Sequence, residues 1–229
     1  MDPGPSLARQ DDDGGFRRDL RALRSKISRG DEARVSDRIV SLHAPGRDVL
    51  PAYVHALEAG WSPNTMRDVA PEQLAAIAAD PAMFLAGLNG RGGKIRLHDG
   101  SEVERLPDII RWIIAIDQPE RPFVGSINLR WQEDAAGRPV TTLPPHVLGH
   151  VGYTILPGHA GRGYASAALA AVLAEARAIG LRFVKITCDA ENAASRRIIE
   201  KNGGLFVENF VAPFYGPEER LMYRIDLQS

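Results

Sequence analysis

A glycine-rich turn between two regular elements constrains the fold of this chain most. The stretch HVGYTILPGHAGRGYASAALAAVLAEA, residues 150–176, places three glycines and an arginine between an apolar alternating run and an alanine-rich run. The alternation predicts a strand, and the apolar spacing over residues 164–179 predicts a helix that Gly180 ends. Such a turn can bind phosphate, because the first amides of a helix lack partners and the helix dipole is positive there.

The chain after this turn alternates between strands and helices. Residues 182–189 predict a strand, and residues 192–204 predict a short helix with Asn192 as its N-cap and Gly203 at its end. The apolar runs at residues 205–212 and 220–227 predict two further strands. This βαβα order favours a parallel pair of strands.

The chain before the turn predicts an antiparallel meander. Strands are predicted at residues 38–44, 109–117, 123–132 and 148–156, the last three with short links between them. Helices are predicted within residues 46–60 and 62–88, and Asp99-Gly100 predicts a β-hairpin turn. The predicted fold class is therefore mixed α/β: a central twisted mixed sheet flanked by helices, antiparallel first and with a βαβα unit after.

Composition narrows the class of protein. The 229 residues carry 28 Lys and Arg against 29 Asp and Glu, so no basic surplus exists to bind nucleic acid. No apolar run reaches the roughly 18 residues of a membrane span, and the N-terminus lacks the apolar core of a signal peptide. One cysteine, Cys188, excludes an internal disulfide and a cysteine-based metal cluster. We expect a cytoplasmic protein without a metal, a nucleic-acid partner or a membrane partner.

One domain is predicted for most of the chain. Residues 1–15 are rich in Pro, Gly and Asp and predict a disordered tail, and residues 16–29 predict a short basic helix. We therefore assign residues 1–34 to this tail and helix, and residues 35–229 to a single domain.

Several interpretations of the glycine turn compete on spacing. A P-loop requires a Lys-Ser/Thr pair after its glycines, and none follows here. The dinucleotide-binding fingerprint nearly fits Gly161, Gly163 and Ser166, with Asp189 at the position of the ribose-binding acid. However, residues 157–160 separate the strand from Gly161, and too little chain follows for a second βαβ half. Glycines that only tighten the turn are the structural alternative.

Two motifs together resemble one known superfamily. HVGYTILPGHAGRGYASAAL resembles the acyl-CoA-binding motif of the GNAT superfamily of N-acetyltransferases, a strand followed by R/Q-x-x-G-x-G/A at the start of a helix. DAENAASRRIIEKNGG resembles the second motif of that superfamily, and the resemblance is clearest over residues 122–205. It is similar to the ribosomal-protein-acetyltransferase-like branch or an uncharacterised branch. The resemblance implies a GNAT-type fold, acetyl-CoA as co-substrate, and acetyl transfer to a primary amine by direct attack in a ternary complex.

The resemblance also implies which residues hold CoA. They lie on the strand edge, the glycine turn and the next helix: Ile155, Leu156, Gly161, Arg162, Gly163, Tyr164, Ala165, Ser166, Asn192 and Ser195. The turn amides would bind the pyrophosphate, and the strand edge would pair with the pantetheine amides. Arg162 is either a phosphate partner or solvated, Asn192 contacts the pantetheine arm or only caps its helix, and Ser195 faces the cofactor or only the backbone.

Two positions depart from the superfamily pattern. Ala160 stands where the motif has Arg or Gln, so one phosphate contact is missing. Ile199 stands where many members have a Tyr that protonates the CoA thiolate. Water or another residue such as Tyr215 would then supply that proton, or the thiolate would leave unassisted.

Acetyl transfer to an amine also requires a base, because a lysine amine has a pKa of about 10.4. The first candidate is His150 on the strand that enters the turn, followed by Asp189 and Glu191 after the next strand. Each has a structural alternative: packing on the sheet for His150, and helix capping for the two acids. Trp61 and Trp131 either line an acceptor pocket or pack in the core. Cys188 is expected to be structural.

Two other functions stay open on the sequence. One is a CoA-binding module without turnover, which the departures at Ala160 and Ile199 favour. The other is an NAD(P)-binding oxidoreductase. For an enzyme, the acceptor is a small-molecule or protein amine, and the resemblance implies a homodimer as one oligomeric state.

Overall fold

The computed structural model describes residues 39–89, 92–97, 100–118, 120 and 122–227. The predicted tail and basic helix, residues 1–34, lie outside the described residues. Five helices form in the described part of the chain: α1 (Leu50–Glu58), α2 (Ala70–Ala79), α3 (Pro81–Asn89), α4 (Tyr164–Ala178) and α5 (Ala193–Lys201). None of the helices in these ranges is long and apolar enough to cross a membrane.

The strands follow the predicted order. In chain order they are β1 (Val40–His43), β2 (Lys94–Arg96), β3 (Glu102–Glu104), β4 (Asp108–Ala115), β5 (Phe123–Arg130), β6 (Gln132–Glu133), β7 (Pro139–Val140), β8 (Val151–Ile155), β9 (Phe183–Asp189), β10 (Leu205–Val211) and β11 (Glu219–Asp226). One sheet has the order β1-β4-β5-β8 and another the order β10-β11-β9, with antiparallel neighbours throughout. The pairs β2-β3 and β6-β7 form two small hairpins. The predicted mixed α/β fold class is confirmed.

The β2-β3 hairpin confirms the turn predicted from Asp99-Gly100. Ile95 is opposite Val103, and Gly100 has a φ of +84°, a left-handed conformation that glycine adopts without strain. Asp99 itself lies outside the described residues.

The segment 62–88 forms two helices where one was predicted. The break falls at Asp80, whose φ of −157° and ψ of 98° are extended. Pro81 causes it, because a proline disfavours helical conformation in the residue before it. The Asp80 carboxylate then accepts hydrogen bonds from the amides of Ala82 and Met83, each at 2.9 Å, and so caps α3.

Two apolar clusters cover the two faces of the β1-β4-β5-β8 sheet. Helix α4 buries Ala168, Leu169, Val172 and Ala176 completely in one cluster, together with Ile127 of β5. The other cluster joins helices α1 to α3 to the opposite face through Tyr53, Trp61, Trp112 and Phe123. Side chains of β4 and β5 contribute to both clusters, because successive side chains of a strand point to opposite faces of the sheet.

The two main sheets meet where β8 lies beside β9. The amide of His150 donates to the carbonyl of Lys185 at 2.7 Å, and the amide of Lys185 donates to Nδ1 of His150 at 3.0 Å. Gly149 permits this approach, since a Cβ there would lie 2.9 Å from the Lys185 oxygen. No ladder between β8 and β9 follows within the described ranges. β8 and β9, the strands predicted to pair in parallel, are therefore hydrogen-bonded to each other only at their beginning. Beyond this point the two strands separate, and the gap between them is the cleft.

Candidate active site

The glycine turn presents a row of amides that have no hydrogen-bond partner among the described residues. Gly161 and Gly163 have φ values of +77° and +84°, and Gly163 is the N-cap of α4. In the part of the chain that the structure describes, no group accepts a hydrogen bond from the amides of residues 161–166. A helix start with free amides and the positive end of its dipole binds anions.

The side chains of the first turn of α4 face the protein. The buried hydroxyl of Tyr164 donates to the carboxylate of Asp117, at 2.9 and 3.1 Å from its two oxygens, and accepts from Nε2 of Gln118 at 2.7 Å. The hydroxyl of Ser166 accepts from Nδ2 of Asn202 at 3.1 Å. These contacts fix the turn against its surroundings, and the turn leaves its backbone amides and the exposed Arg162 side chain for a ligand. The sequence motifs did not point to Asp117, Gln118 or Asn202.

Only part of the β8 edge that was predicted to pair with the pantetheine arm is available to a ligand. The amide of Leu156 donates to the carbonyl of Val124 in β5 at 2.9 Å, so this amide is not available to a ligand. Backbone groups of a strand alternate between its two sides, which directs those of Tyr153 and Ile155 toward the cleft.

The start of α5 forms the opposite wall of the cleft. Oδ1 of Asn192 accepts from the amide of Ser195 at 2.9 Å, which confirms the predicted N-cap. Asn192 and Ser195 both line the cleft. The Tyr153 side chain lies beside Ser195. Burial raises the pKa of Tyr153, and the nearby Ser195 side chain offsets part of that rise, although the Tyr153 hydroxyl forms no hydrogen bond with the described residues. Tyr153 was not among the predicted site residues.

His150 lies at the closed end between β8 and β9. Its side chain is 0% exposed and is not among the residues that line the cleft. Burial, assisted by the nearby Lys185 and Arg130, lowers the pKa of His150 to about 4, whereas the hydrogen bond with the Lys185 backbone acts in the opposite direction. The ring is therefore neutral at pH 7, with Nδ1 as acceptor and its proton on Nε2.

A neutral buried His150 makes stability depend on pH. Its pKa is depressed in the folded chain, so its contribution is complete above the unfolded value of about 6.5 and is lost as the pH falls toward 4. Between pH 7 and 4.5 we expect the free energy of unfolding to fall by about 2 kcal/mol through this residue. His150→Asn, which keeps an acceptor for the Lys185 amide, should lose this part of the pH dependence. Urea unfolding at both pH values, followed by tryptophan fluorescence, measures the difference, and an equal drop in both proteins would contradict it.

The other predicted catalytic residues lie around the cleft. Asp189 forms an ion pair with Arg220, Oδ1 to Nη1 at 2.5 Å, while Glu191 is exposed. The hydroxyl of Tyr215 donates to the carbonyl of His146 at 2.5 Å, and burial raises the pKa of Tyr215. Tyr215 therefore holds its proton tightly.

The predicted pocket tryptophans pack in the interior. Trp61 is 6% exposed and contacts Tyr53 and Phe123, and Trp131 is 2% exposed with Nε1 donating to Glu133 at 3.1 Å. Neither lines the cleft. Cys188 is buried, and burial raises the pKa of its thiol, as expected of a structural cysteine. No cluster of His, Cys, Asp and Glu suited to a metal occurs in the described ranges.

One face of β5 adds polar side chains to the cleft. Ser126, Asn128 and Arg130 alternate along the strand and line it together. Oδ1 of Asn128 accepts from the amide of Gly152 in β8 at 2.9 Å. The motifs did not single out these residues, although the alternation in FVGSINLR places all three on one face.

Comparisons with known proteins agree with the fold. The model of the acetyltransferase (GNAT) domain matches residues 65–204, more than half of the chain, and the chain therefore belongs to this acetyltransferase family. No curated protein is significantly similar to the chain. The alternative of an NAD(P)-binding oxidoreductase is removed, because the glycine turn follows an antiparallel meander and lies inside the matched domain.

Solved structures share the fold at low identity. RimJ of Mycobacterium smegmatis, in complex with CoA-disulfide, is 19% identical over 82% of this chain and 81% of that chain, with a TM-score of 0.54. A GNAT-family acetyltransferase from Bacillus anthracis is 16% identical over 84% and 97%, with a TM-score of 0.53. A Salmonella typhimurium acetyltransferase that modifies the N-terminal serine of ribosomal protein L7/L12 is 14% identical over 83% and 96%, with a TM-score of 0.50.

Proposed function

We propose that this chain transfers an acetyl group from acetyl-CoA to a primary amine by direct attack in a ternary complex. The observation that carries the proposal is that the amides of residues 161–166, which follow the strand that borders the cleft, have no hydrogen-bond partner within the described ranges. A pyrophosphate supplies the negative charge that such a helix start stabilises. Membership of the acetyltransferase family supports the same chemistry.

The proposed path of acetyl-CoA follows β8 from its end toward its start. The glycine turn would bind the pyrophosphate, the backbone of Ile155 would pair with the pantetheine arm, and Asn192 and Ser195 would contact the arm from α5. The cleft has a volume of about 1290 Å³. The residues that line it include Tyr153, Asn192 and Ser195 but not those of the glycine turn, so the pyrophosphate would lie outside this volume and the pantetheine end and the acceptor inside it.

The transfer requires a bond change and two proton movements. The amine nitrogen bonds to the thioester carbonyl carbon as the carbon–sulfur bond breaks, the nitrogen loses a proton to a base, and the thiolate gains one. The backbone amide of Ile155 is the proposed donor to the negative charge that develops on the carbonyl oxygen.

The cleft offers separate candidates for the two proton movements. Glu191 and Asp189 are the proposed bases, directly or through water, because both line the cleft. His150 stays a predicted base that would need a route to its buried ring. The hydroxyls of Tyr153 and Ser195 are the proposed proton donors to the thiolate, and Tyr215 stays a predicted donor, in place of the Tyr that many relatives have at the position of Ile199.

The acceptor class is a primary amine of a small molecule or a protein. The Salmonella relative modifies a protein N-terminus, which supports testing N-terminal peptides beside small amines. A second candidate function is a CoA-binding module without turnover. Ile199 favours it, because this alkyl side chain is 0% exposed and cannot donate a proton.

Release of CoA thiol distinguishes the two functions. Purified protein is incubated with acetyl-CoA and a panel of primary amines, and free thiol is measured with a chromogenic disulfide. The transferase should release thiol with at least one amine well above the rate of hydrolysis without amine. Binding of CoA with no amine-dependent release over the whole panel would instead establish the binding module.

A further inference from the structure

Arg130 is a partly buried cation on the wall of the cleft. It ends β5, and its amide donates to the carbonyl of His150 at 2.8 Å, which places it beside the start of β8. Its guanidinium lies against Gly152, since a Cβ built at Gly152 would be 3.6 Å from an Nη atom of Arg130. The guanidinium is therefore at the end of the cleft where β8 and β9 begin to separate.

Among the described residues, no anion contacts this cation directly. No carboxylate in the described ranges lies within 4 Å of the Arg130 guanidinium, and no side-chain hydrogen bond to it occurs there. Burial lowers the pKa of Arg130 more than the attractions of Asp108 and Tyr215 raise it. A desolvated charge without a partner is costly, which favours a role in binding an anion.

Nearby arginines already have their anions. Arg105 contacts the Asp108 carboxylate at 2.8 Å, and Arg220 contacts Asp189 at 2.5 Å. Asp108 is the cross-strand neighbour of Arg130, but its two oxygens accept from Arg105 at 2.8 and 3.1 Å. Arg130 is thus the cation left for a ligand among these three arginines.

The position of Arg130 separates it from the proposed CoA phosphates. The glycine turn follows the far end of β8, and a five-residue strand spans roughly 17 Å. A ligand of Arg130 would therefore lie on the acceptor side of the thioester. One guanidinium matches one carboxylate through two parallel hydrogen bonds, whereas a phosphate dianion would keep an uncompensated charge.

We infer that the acceptor is a primary amine that also carries a carboxylate, and that Arg130 binds this carboxylate. The inference rests on the proposed acetyl transfer and names its substrate class. Free amino acids and peptides with an acidic residue near the N-terminus share this chemistry.

Matched acceptors test the inference. Each of the common amino acids is assayed with acetyl-CoA as the free acid and as the carboxamide, and serine-initiated hexapeptides are assayed with Asp or Asn at the second or third position. We expect kcat/KM of the wild type to favour the carboxylate member of the best pair by about 10- to 100-fold. Preference within the first set indicates a small-molecule acceptor, and preference within the second a peptide acceptor.

The variant Arg130→Gln should reduce this ratio to near one, chiefly through a higher KM for the carboxylate member. Arg138→Gln is the control, because Arg138 is 78% exposed and forms its ion pair with Asp134 on a remote turn. Equal rates with acids and amides in the wild type, or an unchanged ratio in Arg130→Gln, would overturn the inference. Acetyl-CoA binding without acetylation of any carboxylate-bearing amine would also overturn it, and failure to bind acetyl-CoA would instead reject the proposed function.

Discussion

Gly161→Asp is expected to weaken the binding of CoA by about 100-fold. The new carboxylate would lie within the turn whose amides are proposed to bind the pyrophosphate, and two like charges at contact distance repel by several kcal/mol at the dielectric of a protein surface. The backbone tolerates the change comparatively well, because aspartate adopts the left-handed conformation of Gly161, φ +77°, more readily than most residues. Isothermal titration with CoA measures the loss.

Two control variants show whether the weaker binding of CoA comes from the new charge in the turn or from general effects of the substitution. Gly161→Asn has the same shape without the charge, and should recover most of the affinity that Gly161→Asp loses. Gly180→Asp introduces the same side chain at another left-handed glycine, φ +95°, with open space around it at the end of α4. CoA affinity equal to that of the wild type is expected for Gly180→Asp. Equal weakening in Gly161→Asp and Gly180→Asp would show that the turn does not bind the phosphates.

Gly125→Ala is expected to destabilise the fold by about 3 kcal/mol. Gly125 lies in β5 opposite Ile155, and a Cβ there would come within 2.1 Å of the Thr154 oxygen and 3.0 Å of the Ile155 Cα. The contacts are with backbone, so relief requires β8 to move away from β5. For a domain of this size the midpoint of thermal unfolding should fall by about 10 °C.

Gly137→Ala is the matched control for this stability prediction. Gly137 has a φ of +74°, and no atom of the described residues lies within 4 Å of the point that a Cβ would occupy there, so only backbone strain of about 1 kcal/mol is expected. Circular dichroism during heating measures both variants. A Gly125→Ala protein that unfolds at the same temperature as Gly137→Ala would contradict the prediction, because β8 would then move away from β5 at Ile155 without a loss of stability.

Local signals predicted the elements around the glycine turn. Alternation located β5 and β8, a 3.6-residue period located α4, and the cap Asn192 located the start of α5, because each signal depends on neighbouring residues. Pro81 also carries a local signal for the break between α2 and α3, although the segment was predicted as one helix.

The burial of particular side chains could not be predicted in the same way. From the sequence, His150 is a candidate catalytic base. In the structure, its buried ring accepts a hydrogen bond from the amide of Lys185, which lies 35 residues away in the chain. Arg130 has no directly contacting anion among the described residues because Asp108, its cross-strand neighbour, pairs with Arg105, and only the register of β4 and β5 reveals this. Both facts arise from tertiary neighbours rather than from local pattern.

Isothermal titration of the wild-type protein with acetyl-CoA tests the central proposal most directly. We expect saturable binding with one site per chain, a dissociation constant in the micromolar range, and no heat of binding from NAD or NADP. Affinity should fall in Gly161→Asp and not in Gly180→Asp. No binding of acetyl-CoA or CoA up to millimolar concentration would contradict the proposal that this cleft is an acetyl-CoA site.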